Sequence, residues 1–143
     1  LTTSPPRARS VSLGLPKGWV DRSVLTYIGP DGGQGSPSLV VTRDDIDDVP
    51  LGRYAAMQDA AIRAGFTGIE VLEDCETTVA GHPAVRRTYR WTLEGRTMRQ
   101  RMWCLVLDGV GYSIVGSAPD AEFDELRATF AASLRGFRID PRG

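Results

Sequence analysis

The chain has 143 residues, 41% hydrophobic and 24% charged, with a formal net charge of −1. This length holds one ordinary domain with a real core rather than two, and the charge gives no overall field toward nucleic acid or an anionic membrane. No apolar run approaches a membrane span and no basic-then-apolar signal segment opens the sequence. The expected compartment is therefore the cytoplasm, with export the alternative if a leader preceded Leu1.

Residues 1–10 are polar, carry Pro5 and Pro6 and show no period, so they are expected to form a flexible tail. One domain is expected over 11–139, with 140–143 as a C-terminal tail. A short strand over Val11–Leu15 stops at Pro16, and a second covers roughly Asp21–Ile28. The glycine-rich stretch 29–37 reads as a mobile connection. Ser38–Arg43 is a third strand, rich in β-branched residues. After Pro50 a helix is predicted over Leu51–Ala64, with Leu51, Tyr54, Ala55, Gln58 and Ile62 at helical spacing on one inward stripe and Gly65 ending it.

Three long strands follow, near Ile69–Val79, Pro83–Leu93 and Arg96–Leu107, with turns at Gly81-His82 and Glu94-Gly95. Asp108-Gly109 is a strong hairpin signal and leads to a last strand over Val110–Ser117. The final helix begins near Pro119 and stops at Gly136. Its acids Asp120, Glu122, Asp124 and Glu125 come early and Arg127 and Arg135 late, which complements the helix dipole. Phe123, Leu126, Phe130 and Leu134 form its apolar stripe. The order predicts an α+β domain, a largely antiparallel meander covered by helices.

Two-residue turns fix a register, and the register fixes faces. One face would carry Tyr89, Trp91, Met98, Gln100, Met102, Cys104, Val106 and Val115, and should lie under a helix. The other splits into Arg86, Arg90, Arg99 and Arg101 at one end and Trp103, Leu105, Tyr112 and Ile114 at the other. An apolar half-face needs a cover: a helix, a second copy of the chain in a homodimer, or a partner. The arginines are expected to pair across strands, Glu73 with Arg90 and Glu76 with Arg87, rather than to bind nucleic acid.

Catalytic and metal-binding patterns are weak. His82, the only histidine, falls in a predicted turn without a nucleophile nearby, and a lone histidine argues against a histidine metal site. Asp44-Asp45-Ile46-Asp47-Asp48 lacks the glycine and terminal glutamate of an EF-hand and reads as a solvated loop. The glycine stretch has no Gly-Lys-Ser/Thr ending. Cys75 and Cys104 lie in strands, as small hydrophobes or a single bridge. No enzyme activity, cofactor or metal is expected. Gln58 is more informative, because an amide on an apolar stripe must find hydrogen bonds in the core or on a partner. Gln100, on the apolar sheet face, poses the same question.

Several segments together resemble DcrB-like proteins. They are 15–23 (LPKGWVDRS), 38–44 (SLVVTRD), Tyr54 with Gln58, Arg99-Gln100-Arg101, the region around Tyr112, and Ser117-Ala118-Pro119 before Phe123 and a closing Phe137. The match spans nearly everything after the tail. The resemblance implies a PsbP-like α/β/α sandwich with a six- to seven-stranded sheet, and binding roles rather than catalysis. The branch nearest in motifs includes Eag chaperones, which hold apolar segments of type VI secretion effectors; another includes envelope lipoproteins of accessory role. Carried over, the groove would use Val24, Thr26, Ser38, Val40, Thr42, Gln58 and Ile62, with Gln100 nearby. Its partner would be an apolar segment of a client protein, met by a few amides and hydroxyls.

Overall fold

A computed structural model describes residues 25–139 continuously, together with 13, 14 and 16–19. The elements are β1 (Leu25–Ile28), β2 (Ser38–Asp45), α1 (Leu51–Gly65), β3 (Glu70–Val79), β4 (His82–Leu93), β5 (Arg96–Leu107), β6 (Val110–Pro119) and α2 (Asp120–Arg135). The strands form one sheet in the order β1-β2-β6-β5-β4-β3, every neighbouring pair antiparallel. Leu13 and Gly14 lie outside any strand. The rest of the strand expected at Val11–Leu15, and the start of the next, fall outside the described residues.

Alternation along β5 explains the layers. Met102 and Cys104 point to one face and Trp103 and Leu105 to the other, yet all four are buried, so both faces are covered. Under α1, a core gathers Tyr54, Ala55, Tyr89, Trp91, Met102 and Cys104. Under α2, a second core gathers Trp103, Leu105, Ile114, Phe123 and Phe130. The sheet thus stands between two helices. Of the three covers expected for the half-face of Trp103, Leu105, Tyr112 and Ile114, the helix is the one present. The apolar stripe of α2 closes over Trp103, Leu105 and Ile114, and Tyr112 is half-buried against Phe137, which leaves little of this dimer or partner face for a second copy.

The hairpin turns are read correctly in two cases of three. Glu94-Gly95 and Asp108-Gly109 both have positive φ at each central residue, the type I′ geometry that matches strand twist. The third turn is Ala80-Gly81 (φ 51° and 81°), not Gly81-His82, and His82 opens β4 opposite Val79. The pairing moves by two residues, so the faces survive. A bulge between Val71 and Glu73 then shifts it by one more. The ion pairs consequently differ from those expected: Arg90 pairs with Glu70, Arg87 with Asp74 and Arg86 with Glu73.

Two loops also depart from expectation. The stretch at 29–37 is tied down: Gly29 N–H donates to the Pro37 carbonyl at 2.8 Å, and the Asp31 carboxylate accepts from the N–H groups of Gly33 and Gly35. Asp44 and Asp45 are not loop but the end of β2, opposite Gly111 and Val110. Cys75 and Cys104 are free. Cys75 lies opposite Arg86 on the α2 face and Cys104 opposite Val85 on the α1 face, so no bridge can join them.

Candidate functional site: an uncharged wedge beside the first helix

The seat of α1 is set by one close approach. A side chain at Gly111 would come within 2.5 Å of the Tyr54 ring. Glycine there lets the tyrosine, fully buried, lie against the end of β6. At the other end of the helix Phe66 stacks on Trp91 of β4, centroids 4.4 Å apart. Between them Asp59 accepts a 2.6 Å hydrogen bond from the Tyr89 hydroxyl and an ion pair from Arg87 at 3.6 Å. Burial opposes the charge on Asp59, but Tyr89, Arg63 and Arg87 outweigh it and hold the carboxyl below its ordinary value.

The helix therefore runs diagonally. It starts over β6 and ends over β4, moving away from β1 and β2 as it goes. On this face α1 packs on β5, β4 and β6. Among the described residues no helix covers the β1 and β2 side, a wedge that runs from Asp44 at its narrow end to Ser38 and Ser117 at its wide one. Its floor follows from the register. One row runs Met102, Val115, Val40, Thr26, and the next runs Gln100, Ser117, Ser38, Ile28. Thr42 lies across from Ser113. Val40, Ser38, Thr42, Val115 and Ser117 are half-buried, while Ile28 is 72% exposed at the edge.

Helical spacing places Met57 and Ala61 on the flank opposite Asp59, facing this opening; Met57 is 49% exposed. Gln58 is half-buried on the stripe between the two flanks. Ile62 packs into the core beneath the helix. Gln100 is 8% exposed. Neither amide makes a side-chain hydrogen bond to another described residue. Among the described residues, apart from Asp44 at the narrow end, the rows of this floor carry Val, Thr, Ser, Gln, Ile and Met side chains and no carboxylate or cation. Such a surface suits an apolar guest with occasional polar groups, and it repels a charged one through desolvation.

The structure brings Thr26, Ser38, Val40, Thr42 and Gln100 onto one face, with Gln58 above them. Val24 lies outside the described residues. Met57, Ser117 and Ile28 were not singled out from the sequence, although alternation along β6 already put residue 117 on the same face as Val115. Among the described residues no group of three or more His, Cys, Asp or Glu could hold a metal ion, and no helix is long and apolar enough to cross a membrane. Cys104 is buried, and burial pushes its thiol up to about 12; a neutral thiol is a poor nucleophile.

The DcrB family model matches residues 11–136, nearly the whole chain. The chain belongs to the DcrB family. Within reach of this member lies effector EagT6 of Pseudomonas aeruginosa, 29% identical over 97 residues that cover 66% of this chain and 67% of that protein. Among solved structures, PA94 of Pseudomonas aeruginosa, a protein of unknown function, superposes with a TM-score of 0.76 at 22% identity, covering 89% of this chain and 90% of that one. The cyanobacterial PsbP of Synechocystis gives 0.54 at 13% identity, covering 85% and 96%. These likenesses show the fold: this DcrB member has the PsbP-like sandwich.

Proposed function

We propose that this DcrB-family chain is a chaperone or adaptor whose wedge between β2 and α1 holds an apolar, helical segment of a client protein. Such a client is a type VI secretion effector, and the protein acts before export, in the cytoplasm, by binding alone. The observation that carries this is the uncharged floor beside α1, with Gln58 and Gln100 left without hydrogen-bond partners among the described residues. An apolar guest helix gains by burying Val40, Val115 and Met57. The two amides and the hydroxyls of Ser38, Thr42 and Ser117 would meet whatever polar groups it presents. Similarity to effector EagT6 and the family match support the same reading.

The test is co-expression with the product of the neighbouring gene, as the candidate client. The client should stay soluble and co-purify with the wild-type protein. Gln58→Leu, which leaves a half-buried apolar residue on the same stripe, should weaken retention by about tenfold, the effect of losing one well-made buried hydrogen bond. A client equally soluble without this protein would sink the proposal.

A further inference from the structure

On the opposite face, α2 and the sheet enclose an open cleft of about 570 Å³. Arg86, Arg101, Arg127 and Arg135 line it above Trp103 and Phe130. Glu73 serves two of these cations, Arg86 at 2.9 Å and Arg101 at 3.6 Å. Arg127 has only an exposed partner one turn back, Asp124 at 2.9 Å, which Arg99 also approaches at 3.5 Å. Arg135 makes no ion pair with another described residue. Positive charge is thus in excess at a concave surface. Burial foremost, and then crowding by Arg86 and Arg127, weakens the hold of Arg101 on its proton despite Glu73.

We propose that this cleft binds an acidic segment of a protein, independently of the wedge across the sheet. Charge complementarity selects the occupant. Trp103 and Phe130 are already about as buried as core residues, so an apolar ligand finds little surface left to cover. Guanidinium forks suit carboxylates held two-pronged. Arg127 and Arg135 stand eight positions apart on α2, about 12 Å of helix rise. An extended peptide covers that distance in about four residues, so carboxylates four positions apart would engage both.

Fluorescence anisotropy with a labelled acidic peptide, its glutamates four residues apart, tests this on the intact protein. Saturable one-to-one binding is expected, weakened by added salt. It should fall about tenfold when glutamines replace the glutamates, and again in the double variant Arg127→Gln with Arg135→Gln. Both positions are exposed on the helix, so circular dichroism should show an unchanged fold, and retention of a wedge-bound client should not move. Equal binding of the glutamine peptide, or wild-type binding by the double variant, overturns the proposal. So does displacement of the peptide by inorganic phosphate as readily as by unlabelled peptide, which would mark a pocket for small anions.

Discussion

Tyr54 and Gly111 act as one unit. The ring is fully buried against the glycine, while its hydroxyl has no hydrogen-bond partner. Burial pushes the phenol well above its ordinary value, so it stays neutral and contributes as an aromatic surface, not as a polar group. Removing only the oxygen should therefore cost little, because an unmet buried hydroxyl is a penalty rather than a gain. Tyr54→Phe is expected to be neutral or stabilising by up to about 1 kcal/mol. Tyr54→Ala should cost about 3–5 kcal/mol, as for other large aromatic deletions. Gly111→Ala, forcing a Cβ into the ring, should cost about 1–3 kcal/mol. Urea unfolding of the three variants checks the ordering, and a Tyr54→Phe as damaging as Tyr54→Ala would contradict it.

At the scale of elements, the β3–β4 hairpin and its arginines separate what was legible from what was not. The sequence identified all three long strands and the likelihood of cross-strand pairing, because alternation and glycine turns are local signals. It misplaced the Ala80-Gly81 turn because neither residue is the Asn or Asp that marks such turns, and the neighbouring Gly81-His82-Pro83 competed for the place. The bulge near Leu72 leaves no local trace, so the partners of individual arginines were wrong. The pairing has a pH consequence. Glu73 is held below its ordinary value chiefly by its two-pronged hydrogen bond from Arg86, against burial. A carboxyl whose folded value is depressed stabilises the protein above the unfolded value, near 4.5, and loses that contribution as pH falls through the folded value. Glu73→Gln should flatten the acid limb of the stability curve below about pH 4.5 while lowering stability at neutral pH. Thermal melts across pH 2.5 to 7 show whether the wild type and the variant converge in acid.

For the molecule as a whole, the layers could be anticipated and the site could not. Two amphipathic helices and a meander with both faces apolar already demand a sheet between helices. Which helix covers which half-face depends on where the chain crosses over, and that is a long-range choice. The cover on Trp103 and Leu105 is α2, the first of the three covers the sequence left open, and little of that half-face remains for a second copy. The wedge exists because α1 crosses the strands obliquely, pinned by Gly111 at one end and Trp91 at the other; no spacing in the sequence encodes that angle. Family resemblance supplied most of the floor residues, and the register then added Ser117 and Ile28. Site-specific photo-crosslinking tests the central claim most directly. With p-benzoylphenylalanine in place of Ser38, on the wedge floor, the co-expressed effector should form a crosslink through its apolar segment, while the same probe in place of Thr77, opposite Ala84 on the α2 face, should not. No crosslink from the wedge, or an equal yield from both positions, would contradict the account.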